Sequence, residues 1–296
     1  YSHSSHRGTG CIMASLIAGA LALGSTTGDA VTIAKMQMDN GWQQPFNIDE
    51  QSGSLGLSQW QEPMTFASYD ALAQTKLQVQ LPKVFSALEH YKFNFPRCHK
   101  PLGLYPIFER ASWLERILPL GITVAQLRIK DLQGAALKQE IQTAVDIAKQ
   151  YDCQLFINDY WQLAIECGAY GVHLGQEDID DADLCAIAEA GLRLGLSSHC
   201  FYEVARAKTI NPSYIAFGPV YETQTKDMPW VPQGPQALYY WRALLPDMPM
   251  VAIGGIHGER FDAVKATGVD SIAMISAITE ADNPEKITQN YINKLL

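Results

Sequence analysis

The spacing of apolar positions changes character along the chain. Over residues 8–37 they recur at helical intervals. "RGTGCIMASLIAGALALG" predicts a loop opening a largely apolar helix, and "TGDAVTIAKMQMDNG" predicts a second. Residues 38 to about 100 lose that rhythm. They are rich in Gln, Ser, Pro and Asn, show no strand run, and suggest one or two helices around "SYDALAQTKLQ" and "KVFSALEHYKF". From 101 onward short apolar runs stand at 102–108, 123–129, 153–159, 171–174, 192–198, 214–220, 250–256 and 271–278. Between them lie helix-period segments such as "GAALKQEIQTAVDIAKQY", "DADLCAIAEAG", "CFYEVARAKTI" and "GERFDAVKATG".

Strands alternating with helices predict parallel βαβ units. Eight such units in about 195 residues match a closed (β/α)8 TIM barrel, with an open doubly wound sheet as the alternative. Steps such as "CGAYGVHL" and "TGVDSIAM" have the form of short turns with a Gly cap leading into a strand. The expected organisation is a helical extension over 1–37, a connector with some helix over 38–100, and the α/β barrel over 101–296.

Composition narrows the partners. The 296-residue chain is 47% hydrophobic and 18% charged, enough apolar residue for a sizeable core. Its formal net charge of -9 argues against nucleic acid or an anionic membrane held by bulk charge. Phosphate chemistry would need a few placed cations. The six cysteines show no CxxC or zinc-like spacing, and several sit in apolar runs as reduced thiols do. A cytoplasmic location is the simpler expectation. "CIMASLIAGALAL" is too short to span a membrane and reads better as a helix than as a signal-peptide core.

In a barrel the reactive groups sit at the carboxyl ends of strands. In "QLRIKD" strand alternation puts Gln126, Arg128 and Lys130 on one face and Leu127 and Ile129 on the other. Asn158 and Asp159 end the third run, and Gln176 and Asp178 follow the fourth. Ser197 and His199 end the fifth; Thr223, Thr225 and Lys226 follow the sixth; Gly254, Gly255 and Ser276 close the set. Polar residues thus gather at one rim and hardly at the other. Each has a duller explanation. The cations of "QLRIK" could pair with Asp131 or a neighbour, Asp159 could cap the next helix, and His173 inside "GVHLG" reads as a core histidine. Together, three cations (Arg128, Lys130, Lys226) and two carboxylates (Asp159, Asp178) suit a diphosphate held with a divalent ion. Gly-rich backbone after the seventh run and Ser276 suit a second phosphate.

The ordered motifs "QLRIKD", "LFINDYWQLA", "GVHLGQED", "GLSSH", "GPVYETQTK", "VAIGGI" and "AMISAI" closely resemble the thiamine phosphate synthase family over about 100–296. The resemblance implies a (β/α)8 barrel. The family joins 4-amino-2-methyl-5-(diphosphooxymethyl)pyrimidine to a thiazole phosphate and releases diphosphate by a dissociative substitution. It implies that Gln126, Arg128, Lys130, Asn158, Ser197 and Lys226 hold the pyrimidine diphosphate. It further implies that Asp159 and Asp178 ligate one Mg2+, and that Thr223, Thr225, Gly255, Ile275 and Ser276 contact the thiazole phosphate. Arg128, Lys130, Lys226 and Ser197 would carry the catalysis. Rival readings are a thiazole tautomerase relative and a non-catalytic phosphate-binding barrel, both disfavoured by the intact charge set.

"RGTGC" before an Ala-rich helix resembles the end of the hydroxymethylpyrimidine phosphate kinase fold, with Cys11 at its catalytic position. Arg7 stands where that family usually has His, and the nucleotide-binding sheet that should precede the motif is absent. The implied parent is a fused kinase–synthase. Neither nucleic acid nor membrane is expected as a partner; a homo-oligomer is open.

Overall fold

A computed structural model describes residues 8–43, 46–47, 53–54, 81–82, 93–223 and 231–295. The chain forms two compact units, Tyr1–Ser86 with Cys200–Thr209, and Ala87–His199 with Ile210–Leu296.

In the larger unit eight parallel strands close into a barrel, as the alternating runs predict. They are β1 (Gly103–Phe108), β2 (Val124–Leu127), β3 (Gln154–Asn158), β4 (Gly171–Leu174), β5 (Arg193–Ser198), β6 (Tyr214–Phe217), β7 (Met250–Ala252) and β8 (Ser271–Met274). Each strand pairs with its chain neighbour, and β8 closes on β1 through Ser271 beside Gly103 and Met274 beside Pro106. Both faces of these strands are covered, which is why they read as unbroken apolar runs. Tyr105, Ile107, Val124, Phe156, Tyr214, Ala216, Val251 and Ala273 fill the interior.

Two glycines inside strands make that filling possible. A Cβ on Gly195 would lie 2.2 Å from the Tyr214 ring, and one on Gly171 would lie 2.5 Å from Phe156. Helices of this unit carry periodic apolar faces. In the 17-residue Gly134–Gln150 helix the buried positions are Leu137, Ile141, Ala144, Val145, Ile147 and Ala148, one stripe at helical spacing.

The expectation that polar residues avoid the amino rim is corrected. Lys100 Nζ lies 2.5 Å from Asp152 Oδ2 there, Tyr170 donates to Gln154 Oε1 at 2.7 Å, and Arg193 stacks 4.5 Å above the Tyr170 ring. These groups pair largely with one another.

In the smaller unit, helices α1 (Thr9–Ala22) and α2 (Thr27–Gln43) match the two expected at the amino end, with α2 running beyond residue 37. A third helix, α3 (Phe201–Ile210), is the connection between β5 and β6. Asp29 of α2 accepts the Tyr202 backbone N–H at 2.8 Å, so α2 caps the start of α3. Phe46–Asn47 and Gly53–Ser54 pair antiparallel, two short strands where no strand run was expected. The pairing is too brief to leave a period-2 pattern. The helices expected around 68–78 and 83–93, and Arg7, lie outside the described residues apart from Phe93, which is not helical. No described helix is long and apolar enough to cross a membrane. All six cysteines are free.

Candidate active site

The carboxyl end of the barrel opens into a cavity of about 300 Å³. Its wall carries Gln126, Arg128, Lys130, Asn158, Asp159, Asp178, Ser197, Thr223, Gly255, Ile275 and Ser276, all named from the sequence. Thr225 and Lys226 lie outside the described residues. Gln176 is not on the wall. Its amide donates to the Ser197 carbonyl at 2.7 Å and ties the loop after β4 to the end of β5.

Backbone geometry aims these side chains. Arg128 and Lys130 follow the last ladder residues of β2, alternating with buried Leu127 and Ile129. The Arg128 N–H donates to the Phe108 carbonyl at 2.7 Å, so pairing with β1 outlasts the strand. Asp159 adopts the left-handed region at φ +64, which an Asp tolerates better than most residues. Its N–H remains on the ladder, donating to the His173 carbonyl at 3.0 Å. The side chain does not cap the following helix, which has no side-chain cap. Lys130 Nζ instead sits 2.5 Å from Asp159 Oδ2, while Asp131 takes Arg110 at 2.5 Å. The capping reading of Asp159 therefore falls, whereas the pairing of a "QLRIK" cation with a neighbouring carboxylate holds for Lys130.

Asp178 accepts the Gly175 N–H at 2.9 Å. Burial, and then the charge of neighbouring Asp159, raise its carboxyl above the ordinary range. A carboxyl raised by burial and by a neighbouring carboxylate is one whose ionisation a bound cation would favour. Among the described residues no set of three or more His, Cys, Asp or Glu converges. Two neighbouring carboxylates, Asp159 and Asp178, are of the kind and number that fit Mg2+ completed by phosphate oxygens.

Across the cavity floor runs a chain of buried polar groups. Gln126 Nε2 reaches the Tyr105 hydroxyl at 3.4 Å, and that hydroxyl meets the Tyr214 hydroxyl at 2.8 Å. Tyr214 meets His173 Nδ1 at 2.8 Å, and His173 Nε2 meets Ser197 Oγ at 2.9 Å. His173 is only 7% exposed, as a core histidine should be, yet it also borders the cavity. Burial pushes both tyrosine hydroxyls above their usual titration range, so both keep their protons near neutrality. The sequence reading missed Tyr105 and Tyr214 because a tyrosine in an apolar run looks like core. Gly195 inside β5 was the available signal, since a strand glycine often marks a bulky neighbour.

Opposite, Gly255 stands at φ +63, and a Cβ there would lie 2.3 Å from the Glu222 carbonyl. Tyr221 N–H donates to the Gly254 carbonyl at 3.0 Å, joining the loops after β6 and β7. Glycine is required for that close approach.

A family model described as thiamine monophosphate synthase matches residues 105–278. The chain belongs to this family. The thiamine-phosphate synthase of Yersinia pseudotuberculosis serotype O:1b is 52% identical over 200 residues, covering 68% of this chain and 93% of that protein. That of Serratia proteamaculans is 54% identical over 187 residues, covering 63% and 88%. Among solved structures, thiamine phosphate pyrophosphorylase from Pyrococcus furiosus aligns with a TM-score of 0.58 and 28% identity, covering 66% of this chain and 98% of that one. Membership of the thiamine monophosphate synthase family makes the chain a transferase, the class expected from its motifs.

Proposed function

We propose that the cavity joins 4-amino-2-methyl-5-(diphosphooxymethyl)pyrimidine to a thiazole phosphate, giving thiamine phosphate and diphosphate. The observation that carries this reading is the meeting of Arg128, Lys130, Asp159 and Asp178, from three different strand ends, on one wall. Arg128 offers a planar fork and Lys130 a point charge to the diphosphate oxygens. Gln126, Asn158 and Ser197 orient the pyrimidine and its leaving group from the floor of the cavity. Thr223, Gly255, Ile275 and Ser276 receive the thiazole phosphate. Thr225 and Lys226 complete the two sets in this reading.

Asp159 and Asp178 would hold one Mg2+, which when bound supplies Lewis-acid neutralisation of the diphosphate charge. The bond from the methylene carbon to the bridging oxygen breaks, and its electron pair leaves with diphosphate. The electron-rich pyrimidine stabilises the methylene cation, and the thiazole nitrogen then donates its lone pair to that carbon. No nucleophilic side chain is needed. The residues act by placing two substrates and by presenting fixed charge where charge develops. The thiazole tautomerase and non-catalytic alternatives make no diphosphate. The deciding experiment measures diphosphate release with both substrates, with each omitted in turn, and with EDTA. Release that needs both substrates and the metal supports the reading; no release from the complete mixture overturns it.

The same reading treats residues 1–37 as the end of a kinase domain of the hydroxymethylpyrimidine phosphate type, fused ahead of a connector in a cytoplasmic enzyme. Cys11 is exposed near the start of α1, which follows Gly8 at φ +84. ATP-dependent phosphorylation of hydroxymethylpyrimidine phosphate by this chain would contradict the expectation that the remnant is inactive.

A further inference from the structure

We infer that Tyr105, Tyr214 and His173 act as positioning residues that fix the direction of the hydrogen bond between His173 and Ser197, so that the Ser197 hydroxyl donates its proton into the cavity. This rests on the proposed placement of Ser197 and Gln126 beside the pyrimidine diphosphate.

Proton positions along the chain across the barrel floor fix the direction of each bond. Gln126 contributes an amide N–H, a donor, to the Tyr105 oxygen. A tyrosine has one hydroxyl proton, and the Tyr105 hydroxyl lies 2.8 Å from that of Tyr214. The amide has no need of the Tyr105 proton, so that proton goes to the Tyr214 oxygen. The Tyr214 proton then goes to His173 Nδ1, 2.8 Å away. A neutral imidazole that accepts at Nδ1 carries its own proton on Nε2. Nε2–H therefore donates to Ser197 Oγ at 2.9 Å. With one lone pair engaged by His173, Ser197 turns its remaining O–H toward the cavity it lines.

In the reverse polarity His173 would hold its proton on Nδ1 and take the serine proton at Nε2. Ser197 would then present only lone pairs to a polyanion. The Gln126 end decides between the two arrangements, from the far side of the barrel. Buried networks of this kind hold a single arrangement when every member is satisfied. Gly195 belongs to the same device, because a side chain there would displace the Tyr214 ring.

The test is a double-mutant cycle read by steady-state diphosphate release, with the His173 tautomer followed in the intact protein by long-range 1H–15N NMR. Tyr214→Phe keeps the ring but removes the proton offered to Nδ1. It is expected to lower kcat about tenfold or more, as loss of an orienting partner commonly does. KM for the thiazole phosphate should stay unchanged. In a Ser197→Ala background the same substitution should have no further effect, which is the coupling a relay requires and a packing role does not. Tyr105→Phe should act in the same direction. The NMR spectrum should show neutral His173 protonated at Nε2. Equal losses in both backgrounds, or a His173 protonated at Nδ1, would overturn the inference. If the tyrosine variants fail to fold, the wild-type tautomer decides alone. If the wild type releases no diphosphate, the proposed function falls, and the tautomer still judges the relay separately.

Discussion

Arg128 and Asp159 show how much a single side chain carries here. Each is half-buried at the cavity wall, and in the proposed reading Arg128 meets the departing diphosphate while Asp159 holds the cation that neutralises it. Replacing either by Ala removes preorganised charge from a partly dry site. Turnover should fall by on the order of 10² or more, measured as diphosphate release at saturating Mg2+. Near wild-type turnover in both variants would refute the assignment. A second prediction concerns a residue that touches no substrate. A methyl group on Gly195 would meet the Tyr214 ring at 2.2 Å. Gly195→Ala should cost about 1–3 kcal/mol of stability by overpacking, read from denaturant unfolding, and should depress turnover as well. At this scale the sequence was informative wherever chemistry and position coincide. Gln126, Arg128 and Lys130 were placed together because strand alternation is strict. Tyr105 and Tyr214 were hidden, because their polar atoms work inside a stretch whose burial looks purely apolar.

The strands were legible because a parallel sheet covered on both faces demands continuous apolar runs; β4 falls on "GVHL" residue for residue. β7 and β8 are shorter than their runs. The first turns away at Gly254, and the second gives way to a helix at Ser276. What could not be read was pairing between elements far apart in sequence. Nothing in "TGDAV" announces that Asp29 caps a helix beginning at Phe201. That carboxylate is 8% exposed, and burial raises it above the ordinary range despite the Tyr202 N–H it accepts. A raised carboxyl favours folding most when protonated. Its contribution is complete below its unfolded value of about 4 and is lost as pH rises through the folded value. Asp29→Asn keeps an acceptor for Tyr202 without the buried charge. Its melting temperature should gain on the wild type as pH climbs from about 4 toward neutrality. Asp29→Ala, which leaves the N–H unmet, should cost about 1 kcal/mol at neutral pH. Parallel melting curves for wild type and Asn variant across that range would contradict the assignment.

At the scale of the molecule, an acidic chain of net charge -9 is asked to hold two anionic substrates. Bulk charge opposes that, so affinity must come from the mouth of the barrel. Asp159, Glu177 and Asp178 make the mouth more acidic still when no cation is bound. Between them Asp159 and Asp178 offer too few oxygens to satisfy Mg2+, which prefers octahedral oxygen coordination and retains several waters or phosphate ligands. In the proposed reading diphosphate would meet Arg128 and Lys130 among the described residues of a lining that also carries Asp159, Glu177 and Asp178. Neither ligand is well held alone, and each supplies what the other lacks. Their binding should therefore be coupled, and by linkage the coupling is reciprocal. Mg2+ alone and diphosphate alone should each raise the melting temperature slightly. Added together they should raise it by more than the sum, because ligand binding to the folded state adds stability in proportion to its tightened affinity. Asp178→Asn should abolish the excess while leaving the small effect of diphosphate in place. Strictly additive shifts in the wild type would mean that the ion and the leaving group occupy independent sites, and the charge arrangement at the barrel mouth would then need another explanation.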